Sequence, residues 1–135
     1  MYQAFGDFVF DFVHDLNQRS EDGWALLVEG RRDERALREL GYVGKMATIS
    51  SYSRSGPRAF GGLERVVILT DLDREGGTLA ARFVKKLSHE GLVTSLSERR
   101  RLKAASKGVF LHMENLSRFS ETAELRSGRQ VFITT

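Results

Sequence analysis

The chain contains no cysteine. That removes disulfide scaffolds, thiolate zinc sites and cysteine nucleophiles at once, and fits a reducing cytoplasm. It also has only one proline, Pro57, and nothing near the roughly 18 consecutive apolar residues that a membrane span needs. The opening stretch MYQAFGDFVFDF has no basic leader and carries Asp7 and Asp11, so no secretory signal is expected. Acids become scarce along the chain. Residues 1–30 hold six acids against one base, a net −5, whereas residues 31–75 carry +2 and residues 76–135 carry +6. The small overall charge of +3 therefore hides a basic second half, the electrostatic profile of a protein that meets polyanions.

What is present is ordinary for a globular domain: 135 residues, 41% hydrophobic and 29% charged, enough chain to bury a core unaided. Phe5, Phe8, Val9, Phe12, Val13 and Leu16 recur at helical spacing, while Asp7, Asp11 and Asp15 mark another face, so residues 1–22 are predicted to be an amphipathic helix. Its stripe has two candidate occupants, the chain's own core or a second copy in a homodimer. WALLVEG (Trp24–Gly30) reads as a buried strand, and RRDERALREL before Gly41 as a short helix. KMATIS is a second strand, SYSRSGPRAFGG a polar loop, and ERVVILTD the clearest buried strand. Residues 78–90 form a helix, 92–96 a fourth strand, 97–105 a short basic helix and 108–113 a fifth strand. Such alternation implies βαβ units: a single α/β, Rossmann-like domain with a mostly parallel four- to five-stranded sheet and helices on both faces. Residues 24–113 would be its core and 114–135 an extension.

In such sheets ligands gather beyond the carboxyl ends of the strands. Two of the apolar strands end in acids: Glu29 closes the first, and Asp71 closes the third, with Asp73 and Glu75 following on alternate positions. If the segment is extended, Asp71 and Asp73 project to one side about 6.6 Å apart and can share a hard cation. Four carboxylates at one rim repel unless neutralised. Mg²⁺, or Mn²⁺ in its place, is the simplest answer, with Arg31 and Arg74 placed to hold phosphate oxygens. A capping loop would explain DLDREGG alone, but a second strand ending in Glu29 serves no cap.

VEGRRD (Val28–Asp33) followed some forty residues later by TDLDREG (Thr70–Gly76) resembles the Toprim domain. That domain is shared by topoisomerases, bacterial primases, overcoming-lysogenization-type nucleases and the maturation nucleases of 5S ribosomal RNA. The similarity spans Trp24 to Glu90 and reaches toward Met113. TDLDREG is nearest the topoisomerase form of the second motif. VEGRRD before a short helix is nearer the nucleases and the small stand-alone archaeal or bacterial versions. The resemblance implies that Glu29 is a general acid or base, that Asp71 and Asp73 bind Mg²⁺, and that Glu75 supports the metal. It departs from the topoisomerase pattern at Gly77, where a second glutamate is common. None of Tyr2, Tyr42 and Tyr52 lies in a recognisable tyrosine motif, so strand passage is not expected, and neither are the domains a primase adds.

The expected activity is therefore metal-dependent phosphoryl transfer on RNA or DNA, a nuclease before a primase-like subunit. The alternative from another class is a non-catalytic Toprim module that binds nucleic acid or nucleotide inside a larger complex. Arg99, Arg100, Arg101 and Lys103 in SERRRLKAASK, preceded by Arg82, Lys85 and Lys86, are candidate phosphate contacts. His14, His89, His112 and Glu114 show no ligand spacing and read as structural. A haloacid-dehalogenase-type reading fails because no aspartate follows Asp73. A response-regulator receiver fails because the first strand carries Glu29 alone.

Overall fold

The two central strands of the protein alternate their side chains between two separate apolar clusters. Leu26, Val28, Val67 and Leu69 face one, and Ala25, Leu27, Val66 and Ile68 the other, as two-sided burial of a parallel sheet requires. The computed structural model describes residues 2–107 and 112–119, with side chains from Phe5 onward. Its four strands, β1 (Trp24–Val28), β2 (Met46–Thr48), β3 (Arg65–Ile68) and β4 (Val93–Ser95), form one sheet in the order β2-β1-β3-β4. All pairs are parallel, with Leu26 opposite Met46 and Leu27 opposite Ile68. This is a Rossmann-like α/β arrangement, and its strand order reverses between β1 and β3, the place where such sheets open a crevice.

Helices cover both faces. α1 (Tyr2–Glu21), α2 (Arg31–Glu39), α5 (Ser97–Ser106) and the 3-10 helix η2 (Met113–Phe119) contribute to the first cluster; α3 (Ile49–Ser55), the 3-10 helix η1 (Gly56–Phe60) and α4 (Arg74–His89) contribute to the second. The stripe of α1 points inward: Val9, Phe12, Val13 and Leu16 are almost wholly buried, and the Phe5 ring meets Phe119 edge-on at 5.0 Å. A second copy therefore cannot use that stripe without unpacking the core. No helix among the described residues is long and apolar enough to cross a membrane.

Three segments differ from the reading of the sequence. The polar loop after β2 is helical: the Thr48 hydroxyl accepts from the Ser51 amide at 3.1 Å and starts α3, and Tyr52 and Phe60 anchor it in the second cluster at a ring separation of 5.9 Å. Two buried aromatics outweigh the three serines of that loop here. α4 starts four residues earlier than predicted, at Arg74, because the Asp73 carboxylate accepts from the Gly76 amide at 2.7 Å and caps it. Of the expected fifth strand, residues 108–111 lie outside the described residues, and Met113 opens η2.

Candidate functional site

β1 and β3 are neighbours in register, so their carboxyl ends deliver Glu29 and Asp71 side by side. The Asp71 amide donates to Glu29 Oε2 at 2.8 Å. This bond spans 42 residues of sequence. Beyond Ile68 the ladder continues for one step, with the Leu69 amide donating to the Leu27 carbonyl at 2.9 Å, before the chain turns over the sheet end. The buried Thr70 hydroxyl donates to the Gly76 carbonyl at 2.7 Å and pins that turn to the start of α4. A Cβ on Gly76 would stand 1.9 Å from the Asp71 carbonyl oxygen, so the turn closes only with glycine there.

The acids are gathered, but not as an extended D-x-D-x-E. Asp71 and Asp73 converge with His112: one donor atom from each lies within 4.8 Å of the others. His112 Nδ1 stands 3.2 Å from Asp71 Oδ2 and 3.8 Å from Asp73 Oδ2. The other Asp71 oxygen accepts from the Met113 amide at 2.7 Å. Glu75 falls in the first turn of α4, exposed and outside this group, because the early helix start turns it away. A cleft of about 350 Å³ adjoins the acids, lined among others by Glu29, Arg31, Asp33, Asp71, His112 and Glu114.

Like charges and burial leave a mark on protonation. Burial raises the Glu29 carboxyl above its usual range; the Asp71 amide opposes this, and the charges of Asp71, Asp33 and Asp73 add to it. Asp33 is raised likewise by burial and by Asp71, although it accepts from the Gly30 amide at 3.0 Å. His112 is raised chiefly by its hydrogen bond to Asp71. A carboxyl held above its ordinary value beside two further carboxylates is suited to carry a proton.

The basic helix α5 divides its residues between two roles. Arg99 is buried: its guanidinium donates to the Thr70 carbonyl at 3.3 Å and to the Asp71 carbonyl at 2.5 Å, next to the charges of Asp73, Glu29 and Asp71. It is a counter-charge and brace under the acidic rim, not a contact for a nucleic-acid backbone. Arg101 pairs with Asp15 of α1 at 2.9 Å and lies over the Phe12 ring at 5.3 Å, so it ties two helices together. Arg100 and Lys103 remain exposed. Arg82, Lys85 and Lys86 sit on α4, across the sheet from α5, and do not extend its patch. Arg31 and Arg74 are exposed, Arg31 on the cleft wall and Arg74 at the start of α4. Arg32, which sequence reasoning passed over, joins Arg31 there and faces Glu114 at 3.8 Å. Tyr42 and Tyr52 are buried, unsuited to attack a phosphodiester.

Asp33 and His112, like Arg32, are site residues that the sequence reading did not assign, and Arg99, expected on a phosphate backbone, sits under the acids instead. Asp33 sits three residues after Gly30, the spacing of a residue that caps back onto a helix start. Arg99 shares the helical face of Leu102 and Ser106, a spacing that places it inward. For His112 no local signal exists.

No protein-family profile matches the chain. A UPF0292 protein of Pyrococcus abyssi is 34% identical over 109 residues, covering 80% of this chain and 81% of that protein. Another, from Methanosarcina barkeri, is 30% identical over 120 residues, covering 87% and 84%. A third, from Archaeoglobus fulgidus, is 28% identical over 112 residues, covering 83% and 89%. Among solved structures, a protein from Aquifex aeolicus matches with a TM-score of 0.65 at 26% identity, over 78% of this chain and 94% of that one.

Proposed function

The chain belongs to the UPF0292 family, and from that premise we propose that it is a divalent-metal-dependent phosphoryl-transfer protein acting on nucleic acid, a nuclease of the Toprim type. The observation that carries this reading is the meeting of Glu29 with Asp71 and Asp73 at the point where the strand order reverses, with Glu29 Oε2 on the Asp71 amide at 2.8 Å. The donor set fits a divalent cation: two carboxylates present oxygens toward one point, and Arg99 offsets their repulsion from behind. Asp71 and Asp73 would hold the ion, which when bound would neutralise charge on a phosphodiester. Glu29, with its raised pKa, serves as the proton carrier at the attacking or leaving oxygen. Arg31 and Arg32 on the cleft wall, and Arg74 nearby, hold phosphate oxygens. A cysteine-free chain suits work in a reducing cytoplasm.

The test incubates the full chain with structured RNA and with single- and double-stranded DNA, in Mg²⁺, in Mn²⁺ and in EDTA. Metal-dependent cleavage that disappears in Glu29→Gln and Asp71→Asn is the expected result. Tight, salt-sensitive binding without turnover under either metal would replace the enzyme with a binding module.

A further inference from the structure

We propose that His112 is a third protein ligand of the cation at Asp71 and Asp73, which makes the site a mixed nitrogen–oxygen centre that favours Mn²⁺ over Mg²⁺. The proposal rests on the metal reading of the same site and adds to it a residue that the strand-end motifs do not contain. Neighbouring ligands about 2.1 Å from one ion stand about 3.0 Å apart in octahedral and about 3.4 Å apart in tetrahedral geometry. His112 Nδ1 is 3.2 Å from Asp71 Oδ2 and 3.8 Å from Asp73 Oδ2. All three donor atoms already lie within 4.8 Å of one another, so side-chain torsions suffice to close them on one ion.

The surrounding bonds already direct these atoms toward a common point. Asp71 Oδ1 is held by the Met113 amide at 2.7 Å and Asp73 Oδ1 by the Gly76 amide at 2.7 Å. In each carboxylate one oxygen is therefore fixed by backbone and the other is turned to His112. The Met113 bond is also what sets His112 in place, since it anchors the adjacent residue directly on Asp71. η2 holds this arrangement through Met113, Leu116 and Phe119, all buried in the first cluster. Such support by neighbouring hydrogen bonds is what a metal ligand set requires.

An imidazole changes which ion is held. Mg²⁺ selects oxygen donors and keeps much of its water, whereas Mn²⁺ and the later first-row ions accept nitrogen and gain affinity from it. The His112 side chain is 51% exposed, so its replacement leaves the core intact.

The experiment titrates Mn²⁺ and Mg²⁺ into the full chain, its His112→Ala and His112→Gln variants, and Asp71→Asn, following affinity by calorimetry and the Mn²⁺ environment by electron spin echo modulation. In the parent, modulation from a directly bound ¹⁴N is expected, and both His112 variants lose it. His112→Ala weakens Mn²⁺ about tenfold or more and Mg²⁺ less than about threefold. His112→Gln, which offers an amide oxygen, recovers Mg²⁺ binding better than Mn²⁺ binding. Mn²⁺ that binds in an Asp71-dependent way without ¹⁴N modulation, or binds more tightly in His112→Ala, overturns the ligand role of His112 and leaves the metal reading standing. No binding of either ion overturns both.

Discussion

The Arg99 guanidinium donates to the main-chain carbonyl of Asp71 from beneath the sheet end, while the Asp71 side chain faces His112 on the open side. Asp71 is therefore fixed at four atoms. Its amide, carbonyl and both carboxylate oxygens all have partners, just beyond β1, in α5 and in the segment that starts η2. A candidate catalytic carboxylate is positioned by three parts of the chain that lie far apart in sequence.

Arg99→Met should therefore destabilise the fold by about 2 kcal/mol, since a buried, charge-assisted pair of hydrogen bonds is lost and two carbonyls are left bare. Metal affinity should fall with it, because the acids lose their nearest counter-charge. Urea unfolding and cation titration would check both; a loss below about 0.5 kcal/mol would refute the bracing role.

Glu29→Gln should abolish turnover and yet raise stability at neutral pH, on the order of 1 kcal/mol. Its folded pKa is raised above the ordinary 4.5. The stability linked to the protonated carboxyl is thus present in full below that value and is lost as pH rises through the folded pKa. The gain of the variant over the parent should appear above that window and vanish below it, as thermal unfolding at a series of pH values would reveal.

Glu98 should behave in the opposite sense. Burial raises it, but hydrogen bonds from Ser95 and Ser97 and the Arg19 guanidinium at 2.6 Å outweigh burial and hold it below its usual value. Its contribution is present above the ordinary carboxylate pKa and is lost as pH falls through the folded one. Glu98→Gln should cost about 1–3 kcal/mol at pH 7 and progressively less in acid. Arg19 lies 4.5 Å over the Trp24 ring, so Trp24 fluorescence reports the release.

Two adjacent glycines should respond in opposite directions. Gly76→Ala meets the Asp71 carbonyl and should cost about 2 kcal/mol or more, with loss of the site. Gly77→Ala has only the Arg99 side chain at 3.8 Å and should stabilise α4 by about 0.5–1 kcal/mol. Equal effects in a thermal unfolding comparison would contradict the tight turn.

Arg31→Glu with Arg32→Glu should weaken nucleic-acid binding and flatten its salt dependence, removing roughly two phosphate contacts. Arg101→Ala should leave that slope unchanged and cost stability, because Arg101 is engaged by Asp15 and Phe12. Binding isotherms at several salt concentrations distinguish the two.

The alternation of strands and helices, the apolar stripe of α1 and the acids at the ends of β1 and β3 were readable from residue order, because period and strand ends are local properties. The same order could not tell a solvated serine-rich loop from α3, whose helix depends on Tyr52 and Phe60 finding one pocket between distant elements. Nor could it say that Arg99 faces the acids while Arg100 faces water, since both stand in one basic run and only the packing of Leu102 sets the helix rotation. His112 is the limiting case: 41 residues separate it from Asp71, and only the return of the chain to pack η2 against α1 and α2 brings its imidazole to the carboxylates. The sequence by itself determined which strands end in charge. Tertiary structure decided which charges meet, because long-range packing alone sets distances between residues that share no local period.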